Sequence, residues 1–146
     1  MTGASDPRLD EPDLAALIAR VLPRLVALEE PILADAGLSM WEYAIVAEVA
    51  SSAAMSQREL SRRTRRDPTR LGRHLDDLVS RGIIRRERSH DQRQRTVCLT
   101  PSGRALFTEV HTKIRAMEDD LLRTALSVSD ATTLRHLLTR LATACE

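Results

Sequence analysis

Apolar residues recur every three or four positions near the start of the chain, a spacing that places them on one face of a helix. They are Leu14, Leu17, Ile18, Val21, Leu25, Leu28 and Ile32. The pattern predicts a long amphipathic helix over residues 11–34. Pro23 lies inside it, and an interior proline costs about 3 kcal/mol in a plain helix. We therefore expect a kink or break near residues 19–23.

Two capping boxes predict the starts of the next two helices. Ser39 precedes Glu42, and Ser56 precedes Glu59, at the spacing that lets each side chain satisfy the other residue's backbone N–H. The first of these helices continues through apolar positions at residues 45–49, and the second is short.

A fourth helix begins at Asp67 and Pro68, residue types that favour the N-cap and the first helical position. Leu71, Leu75 and Leu78 then follow at helical spacing. We expect these three leucines to form one buried stripe along the helix.

Gly82 ends the fourth helix, and the pattern then changes to short strands. Residues 83–88 and 96–99 have strand-like composition and are separated by a polar loop, which indicates a hairpin. Thr100-Pro101 opens another helix, and Ser129 is predicted to cap a last one. The order is four helices, a hairpin and two helices. It predicts a mainly α fold with a small β-wing, a winged helix-turn-helix.

A helical wheel of the fourth helix separates its buried and outward faces. The three leucines fall within about 40° of one another, whereas Thr69 and Arg73 lie roughly opposite and Arg70 lies on the flank. The N-terminal half of a recognition helix contacts base edges, and an arginine there can bind guanine through two hydrogen bonds. Gly72 either permits close approach to the groove or is incidental.

Charge is distributed unevenly along the chain, although the net charge is only +1. Residues 56–104 hold fourteen arginines against six acidic residues, a net charge of +8, while residues 1–55 carry −6 and residues 105–146 carry −1. The basic block coincides with the predicted helix-turn-helix and wing. Double-stranded DNA is therefore the expected partner.

Composition disfavours several other classes of protein. No apolar run approaches the roughly 18 residues of a membrane span, and the N-terminus is acidic, so we expect a cytoplasmic protein without a membrane. We find no phosphate loop or nucleophile-and-base arrangement, and therefore expect no enzyme activity and no cofactor. Cys98 and Cys145 are expected to be structural or incidental thiols, with a redox switch as the alternative. The histidines, whose spacing does not predict a metal site, are His74, His90, His111 and His136.

Several motifs together carry a family resemblance over about residues 38–106. They are Leu38-Ser39-Met40-Trp41-Glu42-Tyr43, Ser56-Gln57-Arg58-Glu59-Leu60-Ser61, Leu75-Asp76-Asp77-Leu78, Arg81-Gly82-Ile83-Ile84-Arg85-Arg86, Asp91-Gln92-Arg93 and Val97-Cys98-Leu99-Thr100-Pro101-Ser102-Gly103-Arg104. In this combination the chain closely resembles the MarR family of bacterial transcription regulators.

The resemblance implies roles for two residues of the wing. Arg93 would reach into the minor groove, and Asp91 would hold the loop. The chain departs from the family pattern at Thr64-Arg65-Arg66, where a small or apolar turn with glycine is usual, and at Pro68-Thr69-Arg70, which replaces a Ser-Thr-rich helix start. These departures add positive charge but leave the base preference open.

The resemblance also implies a division of the chain into two lobes. Residues 38–104 would form the DNA-binding lobe, and residues 10–36 with 105–146 would pack against a second subunit in a two-fold dimer. A self-contained helical bundle is the alternative. Relatives often release DNA when a small anionic or phenolic compound enters a crevice between the lobes. Trp41 and Tyr43 are candidate lining residues here, with core packing as the alternative for both.

We therefore expect a sequence-specific transcription regulator, a repressor that binds a pseudo-palindromic site as a dimer and is released by a small ligand. The alternative is a winged-helix module that binds an acidic protein partner. The candidate DNA-binding residues are Ser56, Gln57, Arg66, Thr69, Arg70, Arg73, Asp91, Arg93 and Arg95.

Overall fold

The computed structural model describes residue 8 and residues 10–88 and 95–146, and this part of the chain is mainly helical. Its helices are α1 (Leu14–Asp35), α2 (Met40–Ala50), α3 (Gln57–Thr64), α4 (Pro68–Ser80), α5 (Pro101–Arg123) and α6 (Val128–Ala144). Its strands are β1 (Met55–Ser56), β2 (Ile84–Arg88) and β3 (Arg95–Leu99). The predicted fold class, mainly α with a small β-wing, is confirmed.

The first helix is continuous, and the predicted break is absent. α1 runs through 22 residues although Pro23 and Pro31 lie inside it. Each proline removes only its own N–H donor, so the helical ladder continues on both sides. Burial of Leu33 against Val110 and Ile114 of α5 offsets part of the cost.

The helix starts follow the predicted caps, with one correction. Ser39 and Glu42 form a complete capping box. The Ser56 hydroxyl accepts a hydrogen bond from the Glu59 N–H. The last helix is capped by Ser127 rather than Ser129, because the Ser127 hydroxyl accepts from the N–H of Asp130. A cap bonds the N–H two or three residues ahead, which made both serines plausible.

The three strands form an antiparallel sheet in the order β1-β3-β2. The predicted hairpin pairs Ile84 with Leu99 at one end and Arg88 with Arg95 at the other. β1 adds a short edge, with Met55 opposite Val97. Only two residues long, β1 has no alternating pattern from which it could be predicted.

The core formed by α2, α3 and α4 confirms the predicted leucine stripe. Leu71, Leu75 and Leu78 of α4 are almost completely buried, together with Leu60 of α3. Ile45, Val46 and Val49 of α2 share this core. Because three helices bury residues in one cluster, the position of α4 is set by its packing on α2 and α3.

Both faces of strand β3 are buried near its end. Val97 and Leu99 lie in the core, and Cys98 on the other face is also buried, with only 6% of its surface exposed. Its cross-strand partner Arg85 covers it, with the guanidinium Nε 3.1 Å from the sulfur. A long arginine stem can shield apolar surface in this way.

A close backbone contact connects the base of the wing to α5. The Thr100 hydroxyl caps α5 by accepting from the Gly103 N–H, and it donates to the Gly82 carbonyl at 2.5 Å. A Cβ atom on Gly103 would lie 1.9 Å from the carbonyl oxygen of Ile83. We call Gly82, Ile83, Thr100 and Gly103 the wing joint. Glycine is required there because the helix touches the backbone.

Candidate nucleic-acid interface

Helix α4 presents a basic outer face at its N-terminal end. Asp67 caps the helix by accepting hydrogen bonds from the N–H groups of Thr69 and Arg70 at 3.1 and 3.0 Å. Thr69, Arg70 and Arg73 are all exposed, opposite the buried leucines. The Arg70 guanidinium lies 3.5 Å from the Asp67 carboxylate, and its side chain is 70% exposed. These three residues are therefore accessible on the face that the helical wheel predicts.

The acidic residues in the second half of α4 are neutralised by arginines from other elements. The Asp76 carboxylate binds Arg86 of β2 at 2.5 Å, and Arg86 also approaches the Gly72 carbonyl at 3.4 Å. Asp77 binds Arg81 at 3.3 Å. Repulsion between these carboxylates and a nearby phosphate backbone is reduced by the two partners. Composition alone could not reveal the Asp76–Arg86 pair, which joins positions ten residues apart.

The start of α3 contains two candidate residues that are only partly buried, Ser56 and Gln57. The Ser56 hydroxyl is used as the N-cap. The Oε1 atom of Gln57 is buried without a hydrogen-bond partner among the described residues. Gln57 shares a shallow cleft between α3 and α4 with Arg58 and Pro68.

Two arginines of α3 are occupied by an acidic neighbour. The guanidinium groups of Arg62 and Arg63 hydrogen-bond the Glu59 carboxylate and hold its pKa at about 2. Arg58 and Arg73, in contrast, make no ion pair with any residue in the described ranges. Among the described residues, the arginines of the helix-turn-helix without a carboxylate partner thus lie at the start of α3, in the α3–α4 turn and on α4.

The side chain of Arg66, another predicted contact, folds back onto the protein. Its guanidinium carbon lies 3.7 Å from the centre of the Trp41 ring, and its Nη2 lies 3.3 Å from Nε2 of His74. The side chain is partly buried. Arg66 therefore has a different environment from the exposed arginines of α4.

The wing presents two arginines side by side at the end of its described strands. Arg88 and Arg95 are exposed and directly opposite each other in the hairpin. Like charges at such positions repel, which is relieved when an anion binds between or beside them. Asp91 and Arg93, the predicted wing-tip residues, lie outside the described residues.

Comparison with known proteins agrees with this architecture. A sequence profile of the MarR family matches residues 36–95, the helix-turn-helix and most of the wing. A cysteine-to-serine mutant of MarR from E. coli superimposes with a TM-score of 0.78 and 25% identity, over 90% of this chain and 98% of that one. Such a mutant complexed with operator DNA gives 0.71 and 25%, over 88% and 92%. The chain is therefore similar to the MarR family in sequence over residues 36–95 and in fold over most of its length.

The resemblance inferred from the motifs is thus confirmed by the family profile and by structural neighbours that are MarR-family proteins. NadR, solved in complex with 4-hydroxyphenylacetate, has the same fold, with a TM-score of 0.75 and 22% identity over 97% of this chain and 98% of that one. No curated protein matches the chain by sequence.

The two candidate ligand-contacting residues of this chain lie in separate environments. Trp41 packs against Arg66, whereas Tyr43 stacks on Phe107 of α5 and its hydroxyl lies 3.4 Å from Nδ1 of His111. Burial raises the pKa of Tyr43, and the nearby carboxylates of Glu29 and Glu118 raise it further. Tyr43 therefore remains a neutral phenol at the junction of α2 with α5. Sequence spacing could not show this separation.

The first and last helices leave large apolar side chains exposed. α6 has no buried residue. The exposed residues are Leu14, Leu17, Ile18, Val21 and Leu22 of α1 and Val128, Leu134, Leu137, Leu138 and Leu141 of α6. Two helices of the family fold thus present apolar surface that the single chain does not cover.

Metal binding and membrane insertion find no support in the described part of the chain. Among those residues, no group of three or more histidine, cysteine, aspartate or glutamate side chains is placed to hold a metal ion. None of the described helices combines the length and apolarity needed to cross a membrane.

Proposed function

We propose that this chain binds a pseudo-palindromic DNA site as a homodimer and represses transcription from it. The observation that carries the proposal is the accessible basic face of α4, where Thr69, Arg70 and Arg73 stand opposite a fully buried leucine stripe. With α4 in the major groove, Arg70 and Arg73 would contact base edges or phosphates. Arg93 of the wing would reach into the adjacent minor groove, Asp91 would hold the loop, and Arg95 would contact the DNA beside them.

The exposed apolar surface of α1 and α6 supports the dimer. Large contiguous apolar patches on a soluble domain mark association surfaces. A helix such as α6 that buries no residue gains little from tertiary packing, and isolated helices of its length are marginal. We therefore assign residues 10–36 with 105–146 to dimerisation and residues 38–104 to DNA binding. Because DNA is the proposed partner, the cytoplasm is the expected compartment.

Release by a small ligand is the remaining part of the proposal. Tyr43, Phe107 and His111 form an aromatic stack between α2 and α5. A phenolic compound could stack on these rings and hydrogen-bond the Tyr43 hydroxyl. The test titrates phenolic carboxylates into the protein–DNA complex. Tyr43→Phe should require more compound for release; equal release by both proteins would remove Tyr43 from the ligand site.

Selection from a randomised DNA pool tests the main proposal. The selected duplexes should contain an inverted repeat with half-sites about one helical turn apart, and light scattering should show one dimer per duplex. An unlabelled selected duplex should displace the labelled one far better than a random duplex. Equal displacement would instead favour a module that binds an acidic protein partner.

A further inference from the structure

Arg66 touches three elements of the DNA-binding lobe at once. Its guanidinium stacks on Trp41 of α2 at 3.7 Å and approaches His74 of α4 at 3.3 Å. Two hydrogen bonds hold the Arg66 backbone to α3. The Ser61 hydroxyl donates to the Arg66 carbonyl at 2.6 Å, and the Ser61 backbone carbonyl accepts from the Arg66 N–H at 3.2 Å. The residue therefore lies where α2, the α3–α4 turn and α4 meet.

Arg66, in the turn before α4, is less exposed than the arginines of α4 itself. Arg70 and Arg73 are exposed, whereas Arg66 is partly buried and its Nε atom is buried without a hydrogen-bond partner among the described residues. The adjacent carboxylate of Asp67 caps α4 and lies near Arg70. The charge of Arg66 is thus balanced chiefly by the face of an aromatic ring.

From this geometry we infer that Arg66 is a positioning residue that fixes the orientation of α4 against α2 and does not itself contact DNA. The inference rests on the proposed DNA-binding function. It changes the role predicted for Arg66 from its position beside the recognition helix. It also gives Trp41 a structural partner in place of a ligand.

Arginine is required for this role because a lysine would keep the charge but lose the flat surface. A planar guanidinium can stack on an indole ring while its nitrogens reach a histidine, whereas an ammonium group is a compact point charge. A phosphate contact, in contrast, tolerates lysine well. The Arg66→Lys variant therefore separates the two roles.

The stacking of Arg66 on Trp41 also connects α4 to the site where a ligand is proposed to bind. Trp41 lies two residues before Tyr43 on α2, and Tyr43 packs against Phe107 of α5. A displacement of α2 at Tyr43 would move Trp41 and, through Arg66, the start of α4. Arg66 would thus contribute to the loss of DNA binding when α2 moves.

The experiment measures affinity for a DNA duplex selected from a randomised pool, as a function of salt concentration. The proteins compared are the wild type, Arg66→Ala, Arg66→Lys, Trp41→Ala and the Arg66→Ala/Trp41→Ala double variant. Removal of the cation–π interaction should weaken each subunit about threefold, and therefore the dimer about tenfold. Arg66→Lys should also weaken binding, although less than Arg66→Ala, because an ammonium group keeps part of the attraction to the Trp41 ring. The double variant should bind no more weakly than either single alanine variant.

The salt dependence distinguishes positioning from direct contact. Each phosphate neutralised contributes about 0.9 to the slope of log affinity against log salt, so removing one phosphate-binding arginine from each subunit would lower the slope by about 1.8. We expect an unchanged slope for every Arg66 and Trp41 variant. Arg70→Ala, which removes an exposed arginine from the same helix, is the control expected to change slope or base preference.

Trp41 also provides a spectroscopic reading, because it is the only tryptophan in the chain. Removal of the stacked guanidinium by Arg66→Ala or Arg66→Lys should change its emission, while Arg70→Ala should not. Wild-type affinity for Arg66→Lys or Trp41→Ala, or a slope lowered by about 1.8, would overturn the inference. Absence of selective binding by the wild-type protein would contradict the proposed function instead. Melting temperatures identify any variant that fails to fold. In that case Trp41→Phe, whose ring interacts more weakly with the guanidinium, replaces it. This variant should show a smaller decrease in DNA affinity with an unchanged salt slope, and wild-type affinity would overturn the inference.

Discussion

Gly103→Ala is expected to destabilise the protein, although alanine is the better helix former. In an ordinary helix the replacement would stabilise by about 1 kcal/mol. At Gly103 the new methyl group would lie 1.9 Å from the carbonyl oxygen of Ile83 and 2.8 Å from its carbonyl carbon. Ordinary contact distances are about 3.5 Å, so the first turn of α5 must move by more than about 1 Å.

The magnitude follows from what that movement disturbs. Overpacking of this kind costs about 1–3 kcal/mol. The Thr100 N–H and hydroxyl also bond the Ile83 carbonyl, at 3.1 and 3.2 Å, and a weakened hydrogen bond costs about 1 kcal/mol. After the gain in helix propensity, we expect a net loss of about 2 kcal/mol.

Thermal denaturation at one fixed protein concentration measures the effect, because the stability of a dimer depends on concentration. The decrease corresponds to a melting temperature lower by about 4–8 °C for a chain of this size. Gly72→Ala is the matched control, since a Cβ atom at Gly72 meets nothing within 4 Å. The control should raise stability by about 1 kcal/mol. An equal increase for Gly103→Ala would refute the steric argument at the wing joint.

Three further changes test the DNA-contacting face of α4, the proposed dimer contact and the half-buried Glu29 carboxylate. Arg73→Ala should relax base preference at one position of each selected half-site by about 1–3 kcal/mol, as measured by competition with single-base variants; a uniform decrease on all sequences would reassign Arg73 to phosphate. Leu137→Glu should place a charge in the proposed dimer contact and raise the dissociation constant of the dimer by roughly a hundredfold or more, as measured by light scattering on dilution. An unchanged dissociation constant would exclude Leu137 from that contact. Burial raises the pKa of Glu29, and the nearby Glu118 carboxylate raises it further. The charged form of Glu29 therefore opposes folding, and stability is lost as pH rises through that raised pKa. Glu29→Gln should therefore raise the free energy of unfolding at pH 7, as measured by urea denaturation. The difference from wild type should disappear at acid pH, below the ordinary pKa of 4.5. Equal stability of the two proteins at pH 7 would contradict this reasoning.

The parts of the fold that follow from local chemistry were predicted well from sequence. Asp67 and Pro68 begin α4 because capping and a fixed proline φ act within one helical turn. The stripe of Leu71, Leu75 and Leu78 is buried because helical period alone decides which side chains share a face. Exposure of the remaining face of α4 follows from the same period.

The parts decided by distant contacts were missed. Arg66 and Trp41 are twenty-five positions apart, and no local pattern indicates that their side chains stack. β1 exists because Met55 meets Val97 across the sheet, not because its two residues favour a strand. The burial of Cys98 depends on the Arg85 side chain from the neighbouring strand, which no local pattern indicates.

The wing joint also bears on how family members could exchange parts. Gly103 belongs to the helix that would continue into the dimerisation lobe, yet the backbone it touches, Ile83, belongs to the wing. A chimaera cut between β3 and α5 would pair one parent's helix start with the other parent's wing base. Any mismatch of the backbone path at the wing joint would tilt α5, a helix of 23 residues, as a whole. Recombination points placed after Phe107 would keep this joint within one parental segment and so preserve the spacing between the two DNA-binding lobes of the proposed dimer.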